Sequence, residues 1–243
     1  MGKKKKKVVA APLPTSKLEL AQPSLEAYFG RDGLSQKGGG ERVELCGLKR
    51  NELHGEEIFE IERMFQKEEV ELIIQMAERE GFVPSVQRET RECAHRDNGR
   101  IQFHSPTLAR VFWPRISSFF PQNIDGKRPV GLSDNFRLYK YSKGQRFGMH
   151  IDDSVRTSTG ESTMYTLLVY LNGGKSSTFP VKGGETVFYD HDSRPGRATV
   201  LLSFPPKAGS ALAHIHGQHC LLHEGTAVLH GVKYLMRTDV CYA

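Results

Sequence analysis

The stretch FRLYKYSKGQRFGMHID, residues 136–152, decides the fold class. Its first six residues alternate as in a half-buried strand, Gly144 interrupts the pattern, and a second strand is predicted to begin at Phe147. Side chains two positions apart in a strand project to the same face, so His150 and Asp152 are predicted to lie side by side. An imidazole beside a carboxylate is a pair that can bind a metal ion.

Short apolar segments continue from this stretch to the end of the chain, separated by glycine or proline clusters. Many short strands joined by turns are typical of a sandwich or a jelly roll. The predicted strands cover residues 165–171, 185–189, 198–204, 210–215, 226–230 and 232–242. We therefore predict an α+β protein with helices first and then a compact all-β barrel, a sandwich or a jelly roll, over about residues 134–243.

Helices are predicted before the strands. Residues 67–80 carry apolar side chains at helical spacing, and a second helix is predicted to begin at Ser105 with Pro106 in its first turn and a kink or restart at Pro114. Residues 1–42 combine a lysine run with prolines and a glycine stretch and show weak apolar periodicity, so they predict a disordered basic tail. The folded domain is expected over residues 43–243.

Composition excludes several classes of protein. Of the 243 residues, 38% are hydrophobic, and no apolar run reaches the roughly 18 residues that a membrane span requires. The formal charge of +6 comes mainly from Lys3–Lys7, a candidate nuclear signal, so the rest of the chain is close to neutral. Four widely spaced cysteines and the lack of an apolar leader predict a reducing compartment, the cytosol or the nucleus.

A second group of chemically informative residues lies near the end of the chain. His223 is followed ten residues later by Lys233. If His223 came from a strand that faces His150 and Asp152, the three side chains would form a two-histidine, one-carboxylate triad. Such a triad suits Fe(II), since it leaves three coordination positions open for other ligands.

Four blocks of this region resemble a known family in the same order. They are YSKGQRFGMHID (141–152), YTLLVYL (165–171), GGET (183–186) and LHEGTAVLHGVKY (222–234). Together they resemble the 2-oxoglutarate/Fe(II)-dependent dioxygenase superfamily, and most closely its prolyl 4-hydroxylase and lysyl hydroxylase-like branch. The resemblance implies a double-stranded β-helix (jelly-roll, cupin-like) core, with the N-terminal helices packed on it.

The resemblance also implies a role for each matching residue. His150, Asp152 and His223 would ligate Fe(II) and form the catalytic centre, with 2-oxoglutarate as the chelating cosubstrate and ascorbate raised as a further cofactor. Lys233 would pair with the far carboxylate of 2-oxoglutarate, and Tyr141 and Thr166 would hydrogen-bond the same end. Arg237 is a second candidate cation, which would assist Lys233, replace it or bind a carboxylate such as Asp239.

Alternatives stay open at several positions. Asp153 competes with Asp152 but is expected on the opposite strand face, and His230 competes with His223 but lies at a predicted turn close to Lys233. A cluster of histidines could bind metal or simply lie near the site: His214, His216 and His219. His191 is expected in a loop outside the barrel. Three further polar residues could line a substrate groove or a solvated face: Asn98, Arg100 and Arg156.

Residues 22–29 form a further motif within the predicted tail. Gln22, Leu25, Tyr28 and Phe29 have the spacing of the box with which proteins bind a sliding clamp. The same apolar side chains could instead dock back on the folded domain.

Three functions follow as expectations. The leading one is hydroxylation of an unactivated C–H bond, with a cytosolic or nuclear protein side chain, such as proline, as substrate and with release of succinate and CO2. One alternative is an oxidative nucleic-acid demethylase recruited by a sliding clamp, although the near-neutral domain shows no clear basic stripe for phosphates. Another is a non-catalytic interaction protein that acts through its tail.

Overall fold

The computed structural model describes residues 22–30, 47–90, 93–157, 159–174, 177–193 and 196–243. Most of the predicted tail and the expected domain boundary at Val43 lie outside these ranges. No helix in them is long and apolar enough to cross a membrane. Cys93, Cys220 and Cys241 are free thiols.

The described ranges contain three α-helices, two short 3-10 helices and fifteen strands. The α-helices are α1 (Gln22–Gly30), α2 (Lys67–Glu80) and α3 (Pro106–Ile116), and the 3-10 helices are Ser117–Phe119 and Gly217–His219. The strands are β1 (Lys49–His54), β2 (Ile58–Glu62), β3 (Val83–Gln87), β4 (Arg96–His104), β5 (Pro129–Leu132), β6 (Asn135–Tyr141), β7 (Phe147–His150), β8 (Ser162–Tyr170), β9 (Lys182–Gly183), β10 (Thr186–Tyr189), β11 (Val200–Phe204), β12 (Ala211–Ile215), β13 (His223–Gly225), β14 (Val228–His230) and β15 (Lys233–Tyr242).

Thirteen strands form one antiparallel sheet that curls on itself. Its order is β1-β2-β12-β8-β15-β6-β4-β7-β13-β10-β11, with β3 beside β4 and β5 beside β15, while β9 and β14 pair separately. We call the first part of this order the major sheet; it consists of β1, β2, β12, β8, β15, β6 and β4, with β3 and β5 at its side. We call the remaining part the minor sheet; it consists of β7, β13, β10 and β11. They join through one residue pair, Arg96 on β4 and Phe147 on β7. This arrangement confirms the predicted jelly-roll core.

Alternation along β8 separates the two hydrophobic cores. Leu167 and Val169 lie in the larger core, which the helices cover, whereas Leu168 and Tyr170 lie in the smaller core between the two sheets. Because successive strand residues point to opposite faces, one strand serves both layers. The helices thus pack on the outer face of the major sheet, and the minor sheet packs on its inner face.

The two helices predicted from periodicity are confirmed. In α2, the Glu69 side chain accepts from the Gln66 backbone N–H at 2.7 Å, which caps the helix start. Before α3, the Ser105 hydroxyl accepts from the Leu108 backbone N–H at 3.1 Å. Pro114 lies inside α3, which continues to Ile116.

The sequence prediction missed part of the N-terminal half. It placed no strands before residue 134, yet β1 to β5 form there and all five belong to the major sheet. Residues 22–30, within the predicted tail, form α1, which fits the alternative that this segment docks on the folded domain. Leu25 and Phe29 of this helix belong to the larger core, and Tyr28 stays 47% exposed.

Docking of α1 depends on Phe29. Its ring packs edge-on against Phe112 with centroids 5.0 Å apart and against Phe65 at 6.0 Å. We expect Phe29→Ala to lower the free energy of unfolding by about 3 kcal/mol, because a buried aromatic ring is lost. Tyr28→Ala on the exposed side should change it by less than about 0.5 kcal/mol. Urea denaturation of both variants tests this, and equal small effects would show that α1 does not contribute to the fold.

Candidate active site

Two histidines of the minor sheet face each other across a strand pair. His150 ends β7, His223 begins β13, and the two are register partners. Their ring centroids are 4.2 Å apart, and both side chains are buried. Phe147 stacks on the His150 ring at 3.7 Å, so the imidazole cannot rotate freely.

Backbone carbonyls fix the tautomer of both rings. His150 Nδ1 donates to the Gly148 carbonyl at 2.9 Å, and His223 Nδ1 donates to the Leu221 carbonyl at 2.9 Å. The proton on Nδ1 leaves the Nε2 lone pair free, as a metal ligand requires. Burial, with His223 nearby, lowers the pKa of His150 to about 3, and burial lowers the pKa of His223, so both rings are neutral at pH 7.

Asp152 completes a compact group with the two histidines. Its Oδ1 lies 3.6 Å from His150 Nε2, and its Oδ2 lies 3.8 Å from His223 Nε2. Two atoms that each bind one ion at about 2.1 Å are at most about 4.2 Å apart. The three side chains, all buried, therefore fit a single shared metal ion of the kind that accepts nitrogen and oxygen ligands.

Arg237 holds the Asp152 carboxylate from the major sheet. Its Nη1 donates to Oδ1 at 3.1 Å and its Nη2 lies 3.0 Å from Oδ2, a two-point contact. Burial alone would raise the pKa of Asp152, but the charge of Arg237 holds it well below its usual range. Asp152 is therefore ionised and fixed in orientation at neutral pH.

Lys233 lies in the same cavity as this group. Its Nζ donates to the Gly184 carbonyl at 2.6 Å and lies 5.7 Å from the Tyr141 ring centroid and 5.4 Å from that of Tyr170. Burial lowers its pKa to about 8. A Cβ on Gly184, whose φ is +73°, would lie 3.0 Å from the Lys233 Cδ, so the glycine leaves room for the lysine stem.

The four predicted cosubstrate residues separate into two places. Lys233 and Tyr141 are register partners on β15 and β6, and both line the cavity. Thr166 instead donates to Asp152 Oδ2 at 2.8 Å and is absent from the cavity wall. Arg237 lines the cavity, but its guanidinium contacts Asp152 and Asp239. The structure thus places Thr166 and Arg237 around the candidate metal ligand, away from the Lys233 end.

Of the alternative histidines, only His214 lies at the site. It is buried, its Nε2 lies 3.8 Å from Asp152 Oδ2, and its ring centroid is 4.6 Å from that of His223. His214 Nε2 has no hydrogen-bond partner in the described structure. With Cys220 and His223 it forms a second buried group that could hold a metal ion. The sequence analysis did not single out Cys220, because one isolated cysteine carries no spacing signal.

The remaining candidates lie elsewhere. His216 is buried between the hydroxyls of Thr163 and Thr166, each 3.0 Å from a ring nitrogen. Asp153 is partly buried outside the cavity wall, Arg156 lies in an exposed segment, and three histidines are exposed: His191, His219 and His230.

Part of the chain matches a known protein family. Residues 136–238 match the family model described as the 2OG-Fe(II) oxygenase superfamily, which uses Fe(II) and 2-oxoglutarate. The matched segment contains His150, Asp152, His223 and Lys233. Among curated proteins, no sequence matches this chain.

Several solved structures share the fold at low identity. The viral collagen prolyl hydroxylase vCPH from Paramecium Bursaria Chlorella virus-1, solved as its 2OG complex, is 18% identical, with a TM-score of 0.52 over 77% of this chain and 97% of that one. A Pseudomonas putida prolyl-4-hydroxylase is 16% identical, with a TM-score of 0.50 over 77% of this chain and 93% of that one. A Trichoplax adhaerens prolyl hydroxylase, in complex with a hypoxia inducible factor peptide fragment, is 15% identical, with a TM-score of 0.51 over 77% of this chain and 84% of that one. These likenesses show a common fold.

Removal of the Arg237 guanidinium should destabilise the barrel strongly. In an Arg237→Gln variant, Asp152 and Asp239 would both be buried without this cation, so we expect a loss of about 3–5 kcal/mol in the free energy of unfolding. Arg137→Gln is the matched control of similar burial, because Arg137 reaches only Asp239, at 3.5 Å, and Asp239 keeps its contact with Arg237. It should cost about 1 kcal/mol, since no carboxylate is left without a cation. Equal losses in guanidinium denaturation would show that the Arg237 contacts have no special role.

Proposed function

We propose that His150, Asp152 and His223 hold Fe(II) in this chain, whose residues 136–238 form a domain of the 2OG-Fe(II) oxygenase superfamily. The chain is an Fe(II)- and 2-oxoglutarate-dependent dioxygenase. The observation that carries the assignment of these three residues is their convergence, with both histidine Nδ1 atoms donating to backbone carbonyls and Asp152 3.6–3.8 Å from the two Nε2 atoms.

Lys233 is the proposed partner of the distal 2-oxoglutarate carboxylate. It is buried in the same cavity, and it makes a single hydrogen bond, to Gly184, so two of its three N–H donors stay available. Tyr141 lies beside it, and burial raises the pKa of the Tyr141 hydroxyl, which therefore keeps its proton and can donate. Together they offer a charged and a neutral donor to one carboxylate.

When bound, Fe(II) and 2-oxoglutarate would activate O2, of which one oxygen atom goes to the succinate formed together with CO2 and the other hydroxylates a C–H bond. The chain positions these groups. Arg237 keeps Asp152 ionised, the aromatic rings of Phe147 and Phe188 pack on the two histidines, and Leu168 and Leu235 give the cavity an apolar wall that limits water.

A protein side chain is the proposed acceptor. Support comes from the shared fold with prolyl hydroxylases, one of which was solved with a peptide fragment. Recruitment by a sliding clamp, which would favour the nucleic-acid alternative, has weaker support, because Leu25 and Phe29 are buried in the core and would first have to leave it. The cytosol or the nucleus remains the predicted compartment.

The ligand assignment predicts a distinct pattern of spectra. Anaerobic titration of the wild type with Fe(II) and 2-oxoglutarate should give the visible charge-transfer band of the chelated cosubstrate. His150→Ala and His223→Ala should lose it, because each removes one of three ligands. His230→Ala is the matched control, since His230 is exposed, and it should keep the band. A band that survives in either ligand variant would contradict the assignment.

Binding of 2-oxoglutarate should depend on Lys233 and on pH. Lys233→Met should raise the Kd for 2-oxoglutarate about 10–100-fold, as expected when a charged hydrogen bond is lost. The cation is present below its pKa of about 8 and is lost as the pH rises through that value. The wild-type affinity should therefore fall above pH 8, by at most about tenfold per pH unit.

Isothermal titration at pH 6.5 to 9.5, with Mn(II) in place of iron, measures this dependence. Lys67→Met removes a lysine from α2 and serves as the control with unchanged affinity. An unaltered Kd in Lys233→Met would remove Lys233 from the proposal.

A further inference from the structure

Three polar side chains of β4 lie buried on one face of the strand. Arg96, Asn98 and Arg100 alternate with residues that point the other way, and they are only 7%, 2% and 8% exposed. Arginine is almost never fully buried unless it is paired. We call Arg96 and Arg100 the β4 arginine pair.

The β4 arginine pair borders the candidate active site. Arg100 is the register partner of Tyr139, and Tyr139 is the partner of Leu235; both of these line the cavity. Arg96 lies over the Phe147 ring at 5.4 Å, and that ring stacks on His150. The two guanidinium groups therefore extend the inner face of the barrel beyond the candidate metal ligands, on the β4 side.

These charges lack a carboxylate partner within the described part of the chain. Arg96 makes no hydrogen bond or ion pair there, and its buried Nε is unpartnered. Arg100 donates to the Gln102 side chain, but its Nε is also unpartnered. The Asn98 Oδ1 is a third orphaned atom.

The nearby carboxylates of the described residues are already engaged. Asp152 is held by Arg237, and Asp239 lies 3.3 Å from Arg237 and 3.5 Å from Arg137. Glu224, which also lines the cavity, accepts from a tyrosine hydroxyl of β10. Burying a guanidinium without a counter-charge is strongly unfavourable. Buried orphans of this kind beside a cavity are typical of a site whose partner arrives with a ligand.

We propose that Arg96 and Arg100 bind a carboxylate of an acidic protein segment, which thereby places the residue to be oxidised at the candidate iron site. The inference rests on the proposed function and names its substrate class. A planar guanidinium donates two parallel hydrogen bonds to a carboxylate, and Arg96 and Arg100, four residues apart on one strand face, offer two such groups along the path of an extended segment.

The neighbouring Asn98 favours a polypeptide over a nucleic acid. Its unpartnered Oδ1 is an acceptor, so it suits a peptide N–H, which a phosphate backbone does not offer. Nucleic acids are bound by many exposed cations along the backbone, whereas here the charge is limited to two buried guanidiniums on one strand face. An extended segment advances about 3.4 Å per residue, so the acidic side chain should lie within about three residues of the oxidised one.

Selection from a random twelve-residue peptide library tests the proposal. Wild-type protein and the Arg96→Gln/Arg100→Gln double variant would be loaded with Mn(II) and 2-oxoglutarate without oxygen and used as bait in parallel. We expect wild type to enrich peptides with Asp or Glu at a fixed position at least tenfold, and the double variant to lose that enrichment. Arg110→Gln, which removes an exposed arginine of α3, should select as wild type does.

A second set of measurements keeps the outcomes distinct. The double variant must retain the wild-type melting profile; if it unfolds, Arg96→Lys, which keeps the charge without the fork, takes its place and should show a reduced acidic preference. The proposal would be overturned if wild type showed no acidic enrichment or if the variant showed the same enrichment. It would also be overturned if a single-stranded oligonucleotide of mixed sequence displaced the selected peptides. Failure of the proposed function would appear separately, as loss of the charge-transfer band in wild type.

Discussion

The ion pair between Arg237 and Asp152 is the constraint on which the candidate site depends. Asp152 follows a strand of the minor sheet, while Arg237 lies in the centre of the major sheet, so the pair joins the two halves of the barrel. A carboxylate buried beside neutral histidines would otherwise tend to take up a proton. The two-point contact keeps it charged, and it also fixes the direction in which its oxygens face His150 and His223.

The two sheets contribute different chemical groups to the candidate site. The minor sheet contributes two imidazoles locked by backbone carbonyls, and the major sheet contributes the cations Arg237 and Lys233 on its inner face. One cation orients a metal ligand, and the other is free for an incoming anion. Farther along the same face, the β4 arginine pair adds charge that the described chain leaves unbalanced. In our proposals, the cosubstrate and the acceptor bind to different cations, Lys233 and the β4 arginine pair, and are therefore kept apart.

Strand alternation made much of this arrangement predictable. The two-residue spacing of His150 and Asp152 and the apolar stripe of residues 67–80 each report a local geometry that survives folding. His223 and Lys233, which lie on separate strands, were assigned through the family resemblance. Contacts between strands distant in sequence carry no such signal. Spacing alone could not show that Thr166 and Arg237 meet Asp152, or that His214 faces the cavity while His216 lies between two threonines. Strands β1 to β5 were missed because their polar residues obscure the alternation. For residues 22–29 the sequence left docking on the domain and clamp binding open, because their short apolar patch is defined only by the core it joins.

We propose one metal ion among His150, Asp152 and His223, although His214, Cys220 and His223 offer a competing group. A crystal structure of the protein with Mn(II) and 2-oxoglutarate, with an anomalous difference map at the manganese edge, would show which group binds the ion. We expect a peak about 2.0–2.3 Å from the two Nε2 atoms and one Asp152 oxygen, with the cosubstrate extending toward Lys233. A peak bound instead by His214 and Cys220 would contradict it.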